Sequence, residues 1–142
     1  MDVEKALREM IDREAIRDLV RRYAHHVWQG QPRECAALFS EDAEMDTGDR
    51  PPIRGRAALQ ATYEEMLVGA ALRPFVHNHV IELDGDRATG ICYLDLRGTI
   101  GGRSVAGTGH YEDEYVRAGG LWRFRSRKLS MGEPVEPDRS GD

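Results

Sequence analysis

The sequence predicts an α+β protein in which helices cover one face of a strongly bent antiparallel sheet. Residues 75–131 read as four long strands in series, separated by glycine-containing turns at 84–86, 100–102 and 118–120. The residues before this meander are mainly helical sequence and loops. A block of helices followed by an antiparallel meander favours one curved sheet with the helices packed on a single face. Such an architecture tends to enclose a pocket.

The opening segment predicts a long amphipathic helix. Its apolar residues recur at three- and four-residue steps and so form one stripe, which comprises Ile16, Leu19, Val20, Tyr23 and Val27. The stripe continues back to Val3, with a break expected near Asp12, and Gly30 ends the helix.

Three shorter elements connect this helix to the meander. We expect a helix over 33–39, a brief strand over 43–46 and another helix over 57–68. Residues 69–74 then lead into the first long strand. The sequence shows no internal repeat that would indicate a second domain.

Chain length indicates the number of domains, and charge indicates which classes of partner are disfavoured. A chain of 142 residues can bury a self-sufficient core, so we expect a single domain over 1–131 and a flexible polar tail over 132–142. The net charge is −5 and the basic residues are scattered, which disfavours nucleic acid and anionic membranes as partners.

The location is predicted to be cytoplasmic. No stretch approaches the roughly 20 apolar residues of a membrane span, and charges begin at Asp2, unlike a secretory signal. Cys35 and Cys92 lie far apart and suggest neither a disulfide framework nor a metal site.

Five segments together carry a family resemblance. In chain order they read REAIRDLVRRYA, LFSEDAEM, GRAAL, NHVIELDGDRATG and YEDEYVRAGGLWRFRSR. Their order and spacing resemble the SnoaL-like branch of the NTF2-like superfamily over roughly residues 8–131. The resemblance implies a cone of bent antiparallel strands around the first helix, with an apolar pocket between them. Members include dehydratases, dehydrochlorinases, isomerases, epoxide hydrolases and polyketide cyclases, as well as non-catalytic binding or assembly modules, so the fold alone does not settle function.

The same resemblance implies that the family's catalytic pair is missing. The dehydratase and dehydrochlorinase members use an Asp near the end of the first helix and a His before the long strand. Those positions hold Trp28 and Pro74 in this sequence. Because neither side chain can exchange a proton, Asp–His elimination at the usual positions is not expected.

Histidines supply the first candidates for proton transfer. His26 lies near the buried face of the first helix, and its imidazole could exchange protons near neutral pH; alternatively it interacts favourably with the helix C-terminus. Strand alternation predicts His77 and His79 on one face and Asn78 on the other. The two histidines could ligate a metal, but no third ligand is marked by spacing, so a polar sheet face is favoured and no metal is predicted.

The second and third strands of the meander supply pocket candidates. Leu94 and Leu96 alternate with outward residues and should face the pocket, whereas Asp95 would act as a base only in the opposite register. Gly107 and Gly109 leave one face nearly bare, either for a ligand or for a bend in the strand. Tyr111 continues that face, as an acid in the cavity or as a core aromatic.

Arg127 is the candidate on the last strand. The resemblance places it at a pocket-lining arginine, whereas strict alternation groups it with the solvent-facing Arg123 and Arg125. A β-bulge near Ser126 would turn Arg127 inward, where its guanidinium could hold an oxyanion.

The sequence therefore predicts a cofactor-independent isomerase, dehydratase or cyclase acting on a small hydrophobic molecule. His26 or Tyr111 would act as acid or base, with Arg127 and Asn78 stabilising negative charge on oxygen. The remaining pocket residues are predicted to be Tyr23, Trp28, Leu94, Leu96, Gly107 and Gly109. The alternative is a non-catalytic binding or assembly module. A homodimer or homotrimer is expected, since the exposed sheet face commonly pairs in this superfamily.

Overall fold

The computed structural model describes residues 1–132 and contains three helices and six strands. In chain order they are α1 (Val3–Trp28), α2 (Pro32–Ala37), β1 (Phe39–Asp46), β2 (Ile53–Arg54), α3 (Arg56–Met66), β3 (Ala71–Asp84), β4 (Arg87–Ile100), β5 (Arg103–Ala118) and β6 (Leu121–Met131). None of these helices is long and apolar enough to cross a membrane. The predicted tail lies outside the described residues, except for Gly132.

All six strands form one sheet in the order β2-β1-β6-β5-β4-β3. The meander from β3 to β6 is antiparallel, as predicted, and its three turns fall where the sequence places them. β1 joins β6 in parallel, so the complete sheet is mixed. The predicted α+β architecture, a long first helix packed on a curved sheet, is confirmed.

The helix α1 runs without interruption through Asp12, so the predicted break is wrong. The Asp12 carboxylate is nearly buried and accepts hydrogen bonds from Arg117 Nη1 (2.6 Å) and Trp122 Nε1 (3.2 Å). Bound to β5 and β6 in this way, it does not compete for the helix backbone. The helix begins at an Asp2 cap, whose carboxylate accepts from the Lys5 backbone N–H at 3.0 Å.

The core lies between the apolar stripe of α1 and the inner face of the sheet, and its centre is aromatic. The Tyr23 ring packs edge-on against four other rings at centroid distances of 5.7–6.1 Å. These rings belong to Phe39, Tyr63, Tyr111 and Phe124. The Tyr23 and Tyr63 hydroxyls share a hydrogen bond of 2.7 Å.

An irregularity in β3 changes which residues face the core. The pairing with β4 shifts between Val76 and His79, and the strand then continues with Ile81 buried and Val80 exposed. Val76 and His79 therefore lie on the inner side. The strict two-residue alternation on which the predicted placement of His77, Asn78 and His79 rested is interrupted at this bulge.

A second irregularity turns Arg127 inward. Glu114 pairs with Ser126 but Tyr115 pairs with Phe124, so Arg125 is the extra residue on β6. Beyond it the alternation reverses, and Arg127 is 1 % exposed. A bulge near Ser126 was predicted because strict alternation would turn Arg127 outward, whereas the family resemblance places it in the pocket.

Candidate functional site

A buried ion pair between neighbouring strands lies on the inner face of the sheet. Arg127 Nε is 2.8 Å from Asp113 Oδ1, and Arg127 Nη2 is 3.2 Å from Asp113 Oδ2. Both side chains are fully inaccessible to solvent. Burial alone would lower the pKa of Arg127, but the Asp113 carboxylate beside it raises that pKa above its ordinary value. The guanidinium is therefore charged throughout the physiological range.

The same guanidinium lies within a group of aromatic rings. Its carbon is 3.5 Å from the Tyr111 ring centroid, 4.3 Å from that of Phe124 and 4.4 Å from that of Tyr23. Arg127 Nη1 is buried and has no hydrogen-bond partner among residues 1–132. An unsatisfied buried donor is costly, so Nη1 is an atom to which an acceptor oxygen would bind favourably.

The ion pair continues into a chain of hydrogen bonds that ends at His79. The Tyr115 hydroxyl donates to Asp113 Oδ2 at 2.9 Å and lies 2.9 Å from His79 Nε2. Because a phenol carries one hydrogen, Nε2 must be the donor toward the Tyr115 oxygen. Nδ1 then carries the lone pair of the neutral ring, and within the described residues it has no hydrogen-bond partner.

Burial keeps this histidine neutral. Loss of hydration lowers the pKa of His79 to about 4, and Arg127, Arg17 and Arg21 act in the same direction against the opposing Asp113. Burial also raises the pKa of Tyr115 far above that of a free phenol, with the Asp113 charge adding to the effect. At neutral pH both groups therefore carry no charge, whereas the Arg127 guanidinium behind them is charged.

His79 lines a cleft between α1 and β3. The cleft has a volume of about 250 Å³, and its lining comprises Arg17, Val20, Arg21, Val76, His77, His79 and Cys92. Its volume is slightly below the roughly 300–1,000 Å³ typical of small-molecule sites. Burial raises the pKa of the Cys92 thiol, so this side chain is a neutral part of the wall. The cleft is therefore a small, largely polar cavity.

Three of the predicted site residues meet in the core. Tyr23, Tyr111 and Arg127 are in mutual contact through the rings and the guanidinium. Burial raises the pKa of Tyr111 to about 12. Leu94 is buried as predicted, and Leu96 is partly buried against the core.

Other predicted residues lie apart from this cluster. His26 is at the end of α1, where its Nδ1 is 2.8 Å from Gln31 Oε1, and Asn78 is exposed at the β3 bulge. The local chain path explains both positions, since Gln31 follows the helix directly and the bulge takes Asn78 out of the inner row. Their roles in the pocket remain predictions.

The close packing of β5 against β6 explains why residue 109 is a glycine. A Cβ at this position would lie 2.4 Å from the Ser130 carbonyl oxygen and 2.7 Å from Met131 Sδ, so only glycine lets β6 approach so closely. This supports the strand-packing interpretation of the glycine face at Gly109. Gly107 pairs with Leu96 on β4, and its predicted contact with a ligand remains a prediction.

Trp28 and Pro74, where the resemblance places an Asp and a His, are adjacent in space. Trp28 Nε1 donates a hydrogen bond of 2.7 Å to the Pro74 carbonyl oxygen. The Trp28 ring also packs edge-on against Phe75 at 5.2 Å, with the Arg73 guanidinium 5.5 Å above it. Trp28 is 41 % exposed, so these contacts lie near the surface.

Three residues of the hydrogen-bonded chain were not among the predicted site residues. Asp113 and Tyr115 follow Tyr111 at two-residue steps, and this alternation was a usable signal for a buried carboxylate. His79 could not be placed inward without knowledge of the bulge. In addition, no group of three or more potential ligands is positioned to hold a metal within residues 1–132.

Comparison with known proteins places this geometry in a family. The model of the SnoaL-like domain matches residues 8–128. A type 2 hexachlorocyclohexane dehydrochlorinase (LinA) is similar with 22 % identity and a TM-score of 0.88, over 94 % of each chain. No curated protein has a sequence that matches this chain.

Two solved structures from Novosphingobium aromaticivorans are also similar. A scytalone dehydratase-like protein has 23 % identity and a TM-score of 0.83, over 92 % of this chain and 90 % of its own. An NTF2-like protein with a cystatin-like fold has 25 % identity and a TM-score of 0.77, over 90 % of this chain and 86 % of its own. At this level of identity the comparisons show the fold.

Proposed function

The chain belongs to the SnoaL-like domain family, and from that premise we propose that it is a cofactor-independent enzyme that catalyses proton transfer on a small molecule. Isomerisation, dehydration and cyclisation all fit this description, because each begins with removal of a proton next to a carbonyl or a leaving group. We propose His79 as the acid–base residue in place of His26. The observation that carries the proposal is the free Nδ1 of His79 at the end of a buried hydrogen-bonded chain.

The proposed step uses the lone pair of His79 Nδ1. Nδ1 takes a proton from a carbon beside the substrate carbonyl. The electron pair of that C–H bond forms a C=C bond, and the π pair of the carbonyl moves onto oxygen to give the enolate. The imidazolium that forms donates from Nε2 to the Tyr115 oxygen, whose hydroxyl donates to the Asp113 carboxylate. Returning the proton from Nδ1 to a different carbon isomerises the substrate, and giving it to a departing hydroxyl dehydrates it.

Arg127 is proposed to hold the hydrogen-bonded groups Asp113, Tyr115 and His79 in the arrangement that proton transfer needs. Its guanidinium donates two hydrogen bonds to the Asp113 carboxylate, and that carboxylate accepts from Tyr115 and so polarises the hydroxyl toward the imidazolium. Arg127 Nη1 supplies a further buried donor toward the aromatic cluster. In this proposal Arg127 is a positioning residue, and Tyr111 packs against it.

Hydrogen–deuterium exchange tests the proposal without knowledge of the final product. Small β-keto acids, β-keto esters and enones are incubated with the protein in D₂O, and loss of the acidic C–H signal is followed by proton NMR. His79→Gln keeps a donor where Nε2 stands but removes the Nδ1 lone pair, and His26→Gln is the matched control. Exchange should fall by about 10²–10⁴-fold in His79→Gln and stay unchanged in His26→Gln. Exchange that persists in His79→Gln would contradict the proposal.

One observation favours a non-catalytic ligand-binding module as a second candidate. The positions of the family's catalytic pair are joined to each other through Trp28 Nε1 and the Pro74 carbonyl, which leaves no proton-transfer group there. Under this alternative the cleft binds a small molecule without converting it. Binding by wild type without exchange of any compound in the panel would favour this alternative.

A further inference from the structure

The cleft beside His79 is bordered by two arginines that share one carboxylate. Arg17 and Arg21 lie one turn apart on α1 and both line the cleft. Arg21 Nη1 is 3.1 Å from Glu14 Oε1, whereas Arg17 Nη1 is 4.0 Å from Glu14 Oε2. Two guanidinium groups against one carboxylate leave a net positive charge at this border.

No acidic side chain lines the cleft among the described residues. The remaining ionisable groups that face it are His77, His79 and Cys92. His77 Nε2 is 2.7 Å from Asp95 Oδ2 on β4, and Asp113 beneath His79 is matched by Arg127. The excess of positive charge around the cleft therefore favours binding of an anion.

From these contacts we propose that the cleft recognises the carboxylate of a small organic acid through Arg17 and Arg21. This rests on the proposed function, because it names the substrate class of the same site. The planar guanidinium fork fits a carboxylate with paired hydrogen bonds. Val20, Val76 and the neutral Cys92 thiol provide apolar wall for the short carbon skeleton. The volume of about 250 Å³ restricts the ligand to a small molecule.

A bound carboxylate also gives His79 the base strength that it lacks alone. In the free protein Arg17 and Arg21 help to lower the pKa of His79 to about 4, after the larger effect of burial. An anion on these arginines cancels their effect and attracts the imidazolium, so the substrate raises the pKa of its own base. By linkage, protonation of His79 strengthens binding of the anion by the same factor.

The test is an NMR titration of the His79 imidazole in the full-length protein. The pKa of His79 is measured with acetate, acetoacetate or inorganic phosphate at constant ionic strength. We expect a saturable rise of about one unit with acetoacetate, which corresponds to about tenfold tighter binding to the protonated form. Arg17→Gln/Arg21→Gln should abolish the rise. Arg13→Gln/Arg22→Gln removes the same charge from the same helix outside this cleft and should leave the rise intact.

The following outcomes would overturn the proposed carboxylate site. A rise that does not saturate, or that the two double variants weaken equally, would show only general electrostatics. Phosphate binding as tight as that of acetoacetate would overturn the carboxylate assignment in favour of any oxyanion. The readout is independent of catalysis, so saturable acetoacetate binding without deuterium exchange would refute the proposed reaction while leaving the carboxylate site in place.

Discussion

Trp28 Nε1 donates a 2.7 Å hydrogen bond to the Pro74 carbonyl oxygen, and these are the two positions at which the family resemblance places an Asp and a His. Under that resemblance, a structural contact occupies the positions of the catalytic pair, and it contains no proton-transfer group. Groups that can exchange a proton lie instead in the series of hydrogen bonds that runs from Arg127 to His79.

Removing the indole donor should weaken this contact measurably. Trp28→Phe keeps an aromatic ring against Phe75 but leaves the Pro74 carbonyl without its donor. We expect the free energy of unfolding to fall by about 0.5–1.5 kcal/mol in urea denaturation. Leu121→Ala, at a residue 58 % exposed, is the control and should change it by less than about 0.5 kcal/mol. A loss no larger than that of the control would show that the hydrogen bond contributes nothing.

Breaking the buried ion pair should be far more damaging than breaking an exposed one. Arg127→Met leaves the Asp113 carboxylate buried without its partner and should cost about 3–5 kcal/mol. Arg125→Met breaks the exposed Arg125–Asp42 pair, two residues away on the same strand, and should cost about 0–1 kcal/mol. Chemical denaturation of both variants measures the difference. Equal losses would contradict a fully buried, charged pair.

The titration of His79 predicts the direction in which acid affects stability. The folded-state pKa of about 4 lies below the unfolded value of about 6.5, so the unfolded chain binds more protons between these values. The contribution of His79 is therefore fully present above about pH 6.5 and is lost as pH falls toward 4. The curve of stability against pH should be less steep in this window for His79→Gln than for wild type. An unchanged slope would mean that His79 is not buried in its neutral form.

The close approach of β5 and β6 should exclude even one methyl group at Gly109. Its Cβ would lie 2.4 Å from a backbone oxygen, which cannot move aside as a side chain can. We expect Gly109→Ala to lower the melting temperature and to cost about 1–3 kcal/mol. Thr108→Ala, at the exposed neighbouring residue, should have an effect below about 1 kcal/mol. A tolerated alanine at Gly109 would restore the interpretation that this face has room for a ligand.

The meander was predictable because its turns carry a local signal. Gly85, Gly101 and Gly119 adopt positive φ angles of 58–62°, a region that glycine occupies without the steric cost other residues incur. The inward position of Arg127 was also predictable, because the family resemblance required a bulge that strict alternation would not suggest. The two-residue alternation that predicts an inward Tyr111 also predicts an inward Asp113.

The inward position of His79 could not be predicted from the sequence, for a physical reason. The pairing of β3 with β4 shifts between Val76 and His79, on the strand against which α1 packs. A one-residue shift moves each following side chain to the opposite face. The sequence therefore suggested His26 as the candidate base, whereas the packed structure brings His79 into the hydrogen-bonded chain.

The role of His79 as the base depends on the protonation state of its imidazole. Nitrogen-15 NMR of the imidazole at pH 7 distinguishes a protonated ring nitrogen from one that carries a lone pair. We expect a neutral ring with the hydrogen on Nε2 and the lone pair on Nδ1, and loss of the fixed tautomer in Tyr115→Phe. A hydrogen on Nδ1, or a ring that is largely protonated at pH 7, would contradict His79 as the base.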